Sequence, residues 1–265
     1  AQIFSLLREP DLKPRYNVAP GQTVAAVVFD PERSPHELVS LKWGLVPSWA
    51  KDPKIGYRTI NARADTVATK PSFRAAFKRR RCLIPADGFY EWKKLDAKHK
   101  QPYYITRGDE RAFAFAGLFE HWTGPDGAPL DTCTIITTEA NEPMSALHDR
   151  MPVILADEDF DRWIDPVTQD VADLQSLLRP APDDLLKFTP VTTLVNNPRN
   201  ETRRCIEPAP ADGLQSYICG STWHLCSYAA RMAVRNSSSD SGATRLTVHP
   251  PNPPPVMRDP NTPGA

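Results

Sequence analysis

The sequence predicts a mixed α and β chain in which strands supply most of the core and the helices are short. β-branched and aromatic residues gather in brief runs, among them TVAAVVF (23–29), RAFAFAGLFEHW and TCTIITT. Gly, Pro and Asp punctuate those runs, at Pro20–Gly21, at Gly108–Glu110 and in GPDGAP. Helical spacing of apolar residues occurs only in short segments, and no period of about 20–50 residues repeats, which excludes a solenoid or propeller.

In chain order, IFSLLREPDL within residues 1–12 reads as a short helix cut by Pro10. RYNVAPGQ then turns at Pro20–Gly21 into the strand 23–29, and a polar loop over 31–37 leads to LVSLKWGLVPSW. Trp43 and Trp49 flank a Gly and a Pro there. Burial is the usual fate of tryptophan, but a pair beside a turn is a candidate for stacking on a base. In residues 72–80, Phe73, Ala76 and Phe77 recur at i, i+3, i+4, with Pro71 suited to the first turn and Thr69 or Ser72 to the cap. Residues 82–84 and 88–93 read as extended, with a kink over 85–88, so that Phe89 and Glu91 share one strand face while Tyr90 and Trp92 take the other. PYYITRGD and RAFAFAGLFEHW are two further strands, and TCTIITT another. A short helix starts at Asn141 or Glu142 and ends near His148, Asp149 and Arg150. Residues 160–164 and 171–178 look helical, and PVTTLVNN reads as a strand. From about residue 209 the chain is rich in Ser, Pro and Gly, which favours a disordered tail outside the core.

At 265 residues, with 40% hydrophobic and 24% charged residues, the chain is long enough for one good-sized core. Formal charge is zero, so attraction to a polyanion must come from a local patch. No apolar run approaches the roughly 20 residues of a membrane span, and no signal-peptide pattern is present. The five scattered cysteines form no Cys-x-x-Cys pair, which argues against a zinc site or a secreted disulfide scaffold and for the cytosol. Neither a phosphate-binding glycine loop nor a His-x-x-x-His metal pair occurs, so no cofactor or metal is expected.

Three residues stand out for chemistry. Glu91, among Phe89, Tyr90 and Trp92, would be partly desolvated and so able to exchange a proton near neutral pH; a salt bridge to Lys93, Lys94 or a helix arginine is the plain alternative. His148 is either a reactive imidazole or a cation at a helix end. Asn61 is either a site amide or a loop cap. Arg74, Lys78, Arg79, Arg80 and Arg81 put five cations in eight residues with no acid among them. Arg74, Lys78 and Arg81, at i, i+4, i+7, would form a stripe for phosphates. Cys82 and Cys133 lie in apolar strands and read as inert core thiols.

RYNVAPGQ, WGLVPSWAKD, INARADTV, KPSFRAAFKRRRCLIPADGFYEW, AGLFEHW, TCTIITTEAN and HDRMPVIL, in that order, resemble the SOS response-associated peptidase (SRAP) family. The likeness covers about residues 1–208, leaving 209–265 as the tail. It implies a single α+β domain with a curved, mainly antiparallel β core flanked by helices, and a basic groove for single-stranded DNA. It further implies a monomeric, cytoplasmic or nucleoid-associated DNA-damage protein, with a peptidase-like self-processing step, that crosslinks itself to abasic sites. On that resemblance Asn61 orients a thiazolidine ring, Glu91 shuttles protons and His148 assists Schiff-base formation and release. Arg63 and Arg150 hold flanking phosphates, and the Trp43–Trp49 loop packs against the strand.

Family members begin Met-Cys-Gly-Arg-Phe, whereas this sequence opens at Ala1, where the residue after that phenylalanine would stand. Only an N-terminal cysteine offers amine and thiol on one residue, so the expectation for the sequence as written is a retained DNA groove without stable ring formation. The competing expectation is a non-covalent single-stranded DNA-binding module in which Glu91 and His148 are idle. A hydrolase in which the same two residues activate water is a third reading.

Overall fold

The structure is a computed structural model that describes residues 4–6, 10–30, 34–210 and 231–234. Thirteen strands can be followed among them. They are β1 (Arg15–Val18), β2 (Thr23–Asp30), β3 (Ser34–Trp43), β4 (Asn61–Arg63), β5 (Arg81–Ala86), β6 (Gly88–Lys94) and β7 (Lys100–Arg107). Then come β8 (Phe113–Thr123), β9 (Pro129–Glu139), β10 (Arg150–Pro152), β11 (Ile154–Leu155), β12 (Leu186–Pro190) and β13 (Arg231–Val234). The helices are α1 (Arg74–Arg79), α2 (Glu142–Ser145), α3 (Phe160–Ile164) and α4 (Val171–Ser176). No described helix is long and apolar enough to cross a membrane.

Strands β9, β3, β2, β5 and β8 close into a ring because β8 pairs back onto β9. Only the β3–β9 contact in that ring is parallel, so the expected curved and mainly antiparallel core is present. A second sheet runs β1-β13-β6-β7-β12. The period of two along the strands sorts side chains into separate cores. Ala26, Ile84, Phe115 and Ile135 pack on one face together with Phe89 and Ile105 of the second sheet. Val27, Leu83, Ala116 and Ile136 pack on the other face beneath Phe77 of α1 and Trp163 of α3. Gly117 is dictated by this packing, since a Cβ there would lie 2.8 Å from Cys82 Sγ.

Several local expectations change. Strand β3 begins at Ser34, inside the stretch read as a loop. Helix α1 buries Phe77 and Ala76 as its spacing requires, but it starts at Arg74 behind Phe73, with no side-chain cap. PVTTLVNN contributes only its start to β12, and residues 193–196 form a 3-10 turn. Part of the helix expected over residues 1–12, and most of the disordered tail expected over 209–265, lie outside the described residues. Residues Arg231–Val234 nevertheless supply β13, which pairs antiparallel with β1 and β6 and so belongs to the second sheet.

Candidate functional site

Strand β9 organises the site. Its first half closes the barrel, and its second half takes β4 on one edge and β10 on the other. Asn61 pairs in register with Ile135 and Arg63 with Thr137. Alternation puts Asn61 and Arg63 on one face of β4 and fully buried Ala62 on the other. Asn61 is half-buried and Arg63 exposed. Arg63 holds Asp65 in a two-pronged contact of 3.1 and 2.8 Å, which keeps the Asp65 carboxyl below its ordinary range. Arg150, opposite Glu139, donates to the carbonyl of Thr137 and, at 3.2 Å, to its hydroxyl. Two arginines thus flank Thr137 from neighbouring strands.

Glu91 enters from the second sheet, opposite Tyr103 of β7. Phe89, two residues before it, joins the barrel-side core, whereas Tyr90 and Trp92 pack in a separate cluster, which is the division of faces read from the sequence. Glu91 is 6% exposed. Its Oε1 accepts from the Trp92 N–H at 3.1 Å, and its Oε2 is buried without a hydrogen-bond partner. Burial pushes the carboxyl up to about 7, the Trp92 N–H and Lys100 pull it down, and Asp149 adds to the rise. The alternative of a salt bridge to Lys93, Lys94 or a helix arginine is not what forms.

His148 follows α2, which Asn141 caps by accepting from the Met144 N–H at 3.1 Å while donating to the Ala181 carbonyl at 3.0 Å. Two contacts compete for His148 Nδ1. The Arg150 N–H donates to it at 3.0 Å, and Asp149 Oδ1 stands 2.8 Å away. Both cannot be satisfied in one protonation state, because the first needs a lone pair and the second a proton. Burial is the leading influence and holds the imidazole below its ordinary value, while Asp149 is 86% exposed and screened by water. The neutral ring therefore dominates near pH 7, with Nδ1 accepting and the proton on Nε2.

These elements share a neighbourhood. Lys100 and Asp149 act electrostatically on both Glu91 and His148, and Asp149 acts on Arg63 as well. Ile60, Tyr103 and Leu147, adjacent to Asn61, opposite Glu91 and adjacent to His148, all pack on the same core cluster. Neither Lys100 nor Asp149, the latter noted only at a helix end, is singled out for chemistry by the sequence. Lys100 is one of many lysines around the β6–β7 hairpin, and only the hairpin's position singles it out; Asp149 could have been found from its adjacency to His148.

Two residues expected to meet DNA do not face solvent. The helical stripe assumed α1 would run on through position 81. It stops at Arg79, and Arg81 is the first residue of β5, 1% exposed. Its guanidinium is consumed by the carbonyls of Trp163, Asp165, Phe77 (2.9 Å), Lys78 (2.6 Å) and Thr168 (2.8 Å), tying α1 to α3 and the following loop. Trp43 is likewise 1% exposed, its Nε1 donating to the Ile60 carbonyl at 2.8 Å, so it is a core residue and not a stacking surface. Arg80 is spent on Glu120 at 2.7 Å. Arg74, Lys78 and Arg79 remain exposed on α1, and Trp49 is 59% exposed. Cys82 and Cys133 are buried with thiols pushed well up, consistent with inert core residues. Among the described residues no group of three or more His, Cys, Asp or Glu is arranged to hold a metal ion.

A family model described as SOS response associated peptidase (SRAP) matches residues 2–198. The abasic site processing protein YoqW of Bacillus subtilis (strain 168) is 51% identical over 205 residues, covering 77% of this chain and 91% of that protein. The abasic site processing protein HMCES of Gallus gallus is 38% identical over 232 residues, covering 76% and 68% respectively. Among solved structures, a protein from Bacteroides thetaiotaomicron superposes with a TM-score of 0.64 at 29% identity, covering 72% of this chain and 82% of that one.

Proposed function

The chain belongs to the SOS response associated peptidase (SRAP) family, and from that premise we propose that it processes abasic sites in single-stranded DNA by covalent capture. The observation that carries this reading is Glu91, a buried carboxyl held at about 7 with one oxygen unpartnered, beside the segments that carry Asn61 and His148. A group at that value gives and takes protons with equal ease near neutral pH.

In this reading the reacting residue is a cysteine lying ahead of Ala1 as the family's Met-Cys-Gly-Arg-Phe start places it. Its α-amine, with an ordinary value of about 8, adds to the aldehyde carbon of the ring-opened lesion. Loss of the carbinolamine hydroxyl as water leaves an imine, and Glu91, protonated, supplies the proton that makes the hydroxyl a leaving group. The thiolate then adds to the imine carbon while the nitrogen takes a proton, closing a thiazolidine. His148 donates through Nε2–H to the developing oxyanion, and Asn61 orients the ring. Arg63 and Arg150 position the flanking phosphates, with Arg63 exchanging Asp65 for the strand. Trp49, Arg74 and Lys78 extend the contact surface. The protein acts as a cytoplasmic monomer without cofactor, and any peptidase-like step is the exposure of its own cysteine.

The test is incubation of the protein carrying Met-Cys-Gly-Arg-Phe ahead of Ala1 with single strands that do or do not contain an abasic site. A heat-stable protein–DNA band is expected only with the lesion, and its complete absence would end this reading. For the chain beginning at Ala1, binding without a stable adduct is expected, with affinity falling by about tenfold or more between low and physiological salt. Lesion-indifferent binding by both forms would favour the non-covalent module instead.

A further inference from the structure

The excursion from β3 to β4, residues 44–60, leaves one edge of β9 and returns to it: the Gly44 N–H donates to the Cys133 carbonyl and the Ile135 N–H to the Ile60 carbonyl. It is tied down along its length. Thr59 Oγ1 donates to the Leu45 carbonyl and contacts the Ile55 carbonyl at 3.0 Å, Thr132 Oγ1 accepts from the Val46 N–H, and Trp122 Nε1 donates to the Ala50 carbonyl. Gly44, at φ +133°, meets Gly56 so closely that a Cβ on either would lie 2.8 Å from the other's carbonyl oxygen. A loop fixed this firmly nevertheless exposes Tyr57 to 75%. Large aromatic rings held rigidly in water mark contact surfaces.

Tyr57 lines a pocket of about 100 Å³ together with Gly44, Gly56, Lys42, Lys54 and Pro53. That is several times the roughly 10–15 Å³ of such space that one water needs, enough to seat a phosphate group. Lys42 and Lys54 are both exposed, and neither is in an ion pair with a described residue. Residues 51–58 carry Lys51, Lys54 and Arg58 against the single carboxylate of Asp52, whose Oδ1 accepts from the Lys54 N–H. The excursion ends at Ile60, one residue before Asn61 of β4.

We propose that Lys42, Lys54 and Tyr57 form a separate strand-anchoring subsite for single-stranded DNA, with a backbone phosphate seated between the two lysines and the adjoining base stacked on the Tyr57 ring. It rests on the DNA-binding reading above and extends it beyond the lesion pocket. The site reads no sequence, because phosphate and a π-face are common to every nucleotide. Its effect is to lengthen the footprint of the strand, so short oligonucleotides that reach only the lesion residues gain nothing from it.

The experiment is fluorescence-anisotropy binding of the full chain to undamaged single strands of about five and about fifteen nucleotides, across a salt series. Wild type is expected to prefer the longer strand. Tyr57→Ala should weaken binding to it by roughly 5- to 100-fold, and Lys54→Ala should lower the magnitude of its salt slope by about one. Both variants should bind the short strand as wild type does, as should the exposed-lysine control Lys187→Ala with either strand. Unchanged affinity and slope in Tyr57→Ala and Lys54→Ala overturn the subsite while leaving the lesion chemistry standing. Equal losses on both strand lengths also overturn it, since they would merge these residues with the lesion pocket. Failure of wild type to bind any single strand removes the parent reading and this one together.

Discussion

In the protein carrying Met-Cys-Gly-Arg-Phe ahead of Ala1, Glu91→Gln should abolish the proposed covalent capture and at the same time make the protein more stable at pH 8. The ionised Glu91 sits in a buried position with one oxygen unpartnered, and its folded value of about 7 exceeds the ordinary 4.5. A carboxyl raised in this way favours the folded state below the unfolded value, and that advantage is lost as pH rises through the folded one. The window is therefore about pH 4.5 to 7. Above it the cost of holding the charge is on the order of 3 kcal/mol, at 1.36 kcal/mol per unit. Glutamine keeps the shape and the acceptor for the Trp92 N–H without the charge. Thermal melts should show wild type losing roughly 5–10 °C relative to the variant between pH 5 and pH 8. The gap should be small at pH 5, where the folded side chain is neutral, and close near pH 4, below the unfolded value. A pH-independent difference would mean that Glu91 is paired in solution, and the proton-shuttle role would lose its basis. Gains in stability on removing a buried ionisable group are a recurring consequence of holding a charge where solvent cannot reach it.

Arg81→Ala should be the most damaging single change outside the site. It deletes a guanidinium that satisfies five carbonyls from α1, α3 and the loop after it, and that lies 5.7 Å from the Trp163 ring. Burial lowers its value only to about 10, so the group stays charged near neutral pH. Breaking such a buried polar network costs on the order of 3–5 kcal/mol, a large share of the roughly 5–15 kcal/mol that holds a domain folded. Arg81→Lys should recover little of this, because an ammonium cannot span acceptors on three segments. Chemical denaturation measures the loss directly. If Arg81 met phosphate instead, both variants would keep wild-type stability and lose DNA affinity. By contrast, Arg74→Ala and Lys78→Ala, on the exposed face of α1, should leave the denaturation midpoint within about 0.5 kcal/mol of wild type.

The contrast between Arg74 and Arg81 shows where reading along the chain stops working. Both were assigned to one stripe by helical spacing, which holds only while the helix continues. The backbone leaves helical geometry at Arg80, with φ −126° and ψ 69°, and the next side chain turns inward. Trp43 and Trp49 divide in the same manner. They sit six residues apart beside the same turn, yet pairing of Lys42 and Trp43 with Thr132 and Cys133 of a strand some ninety residues away buries one and leaves the other in water.

What the sequence determined by itself is local and periodic. Alternation set the two faces of β6 and put Glu91 on the side of Phe89, apolar spacing buried Phe77 and Ala76, and the ordered motifs carried the family. What only the tertiary structure decided is which charges are free and which side chains meet. The ring closure of β8 onto β9, the placing of β4 and β10 on opposite edges of β9, and the β1–β13–β6 pairing join residues far apart in sequence. The physical reason is that spacing along a chain reports the direction a side chain points, whereas desolvation and partnership depend on what the rest of the molecule brings to face it.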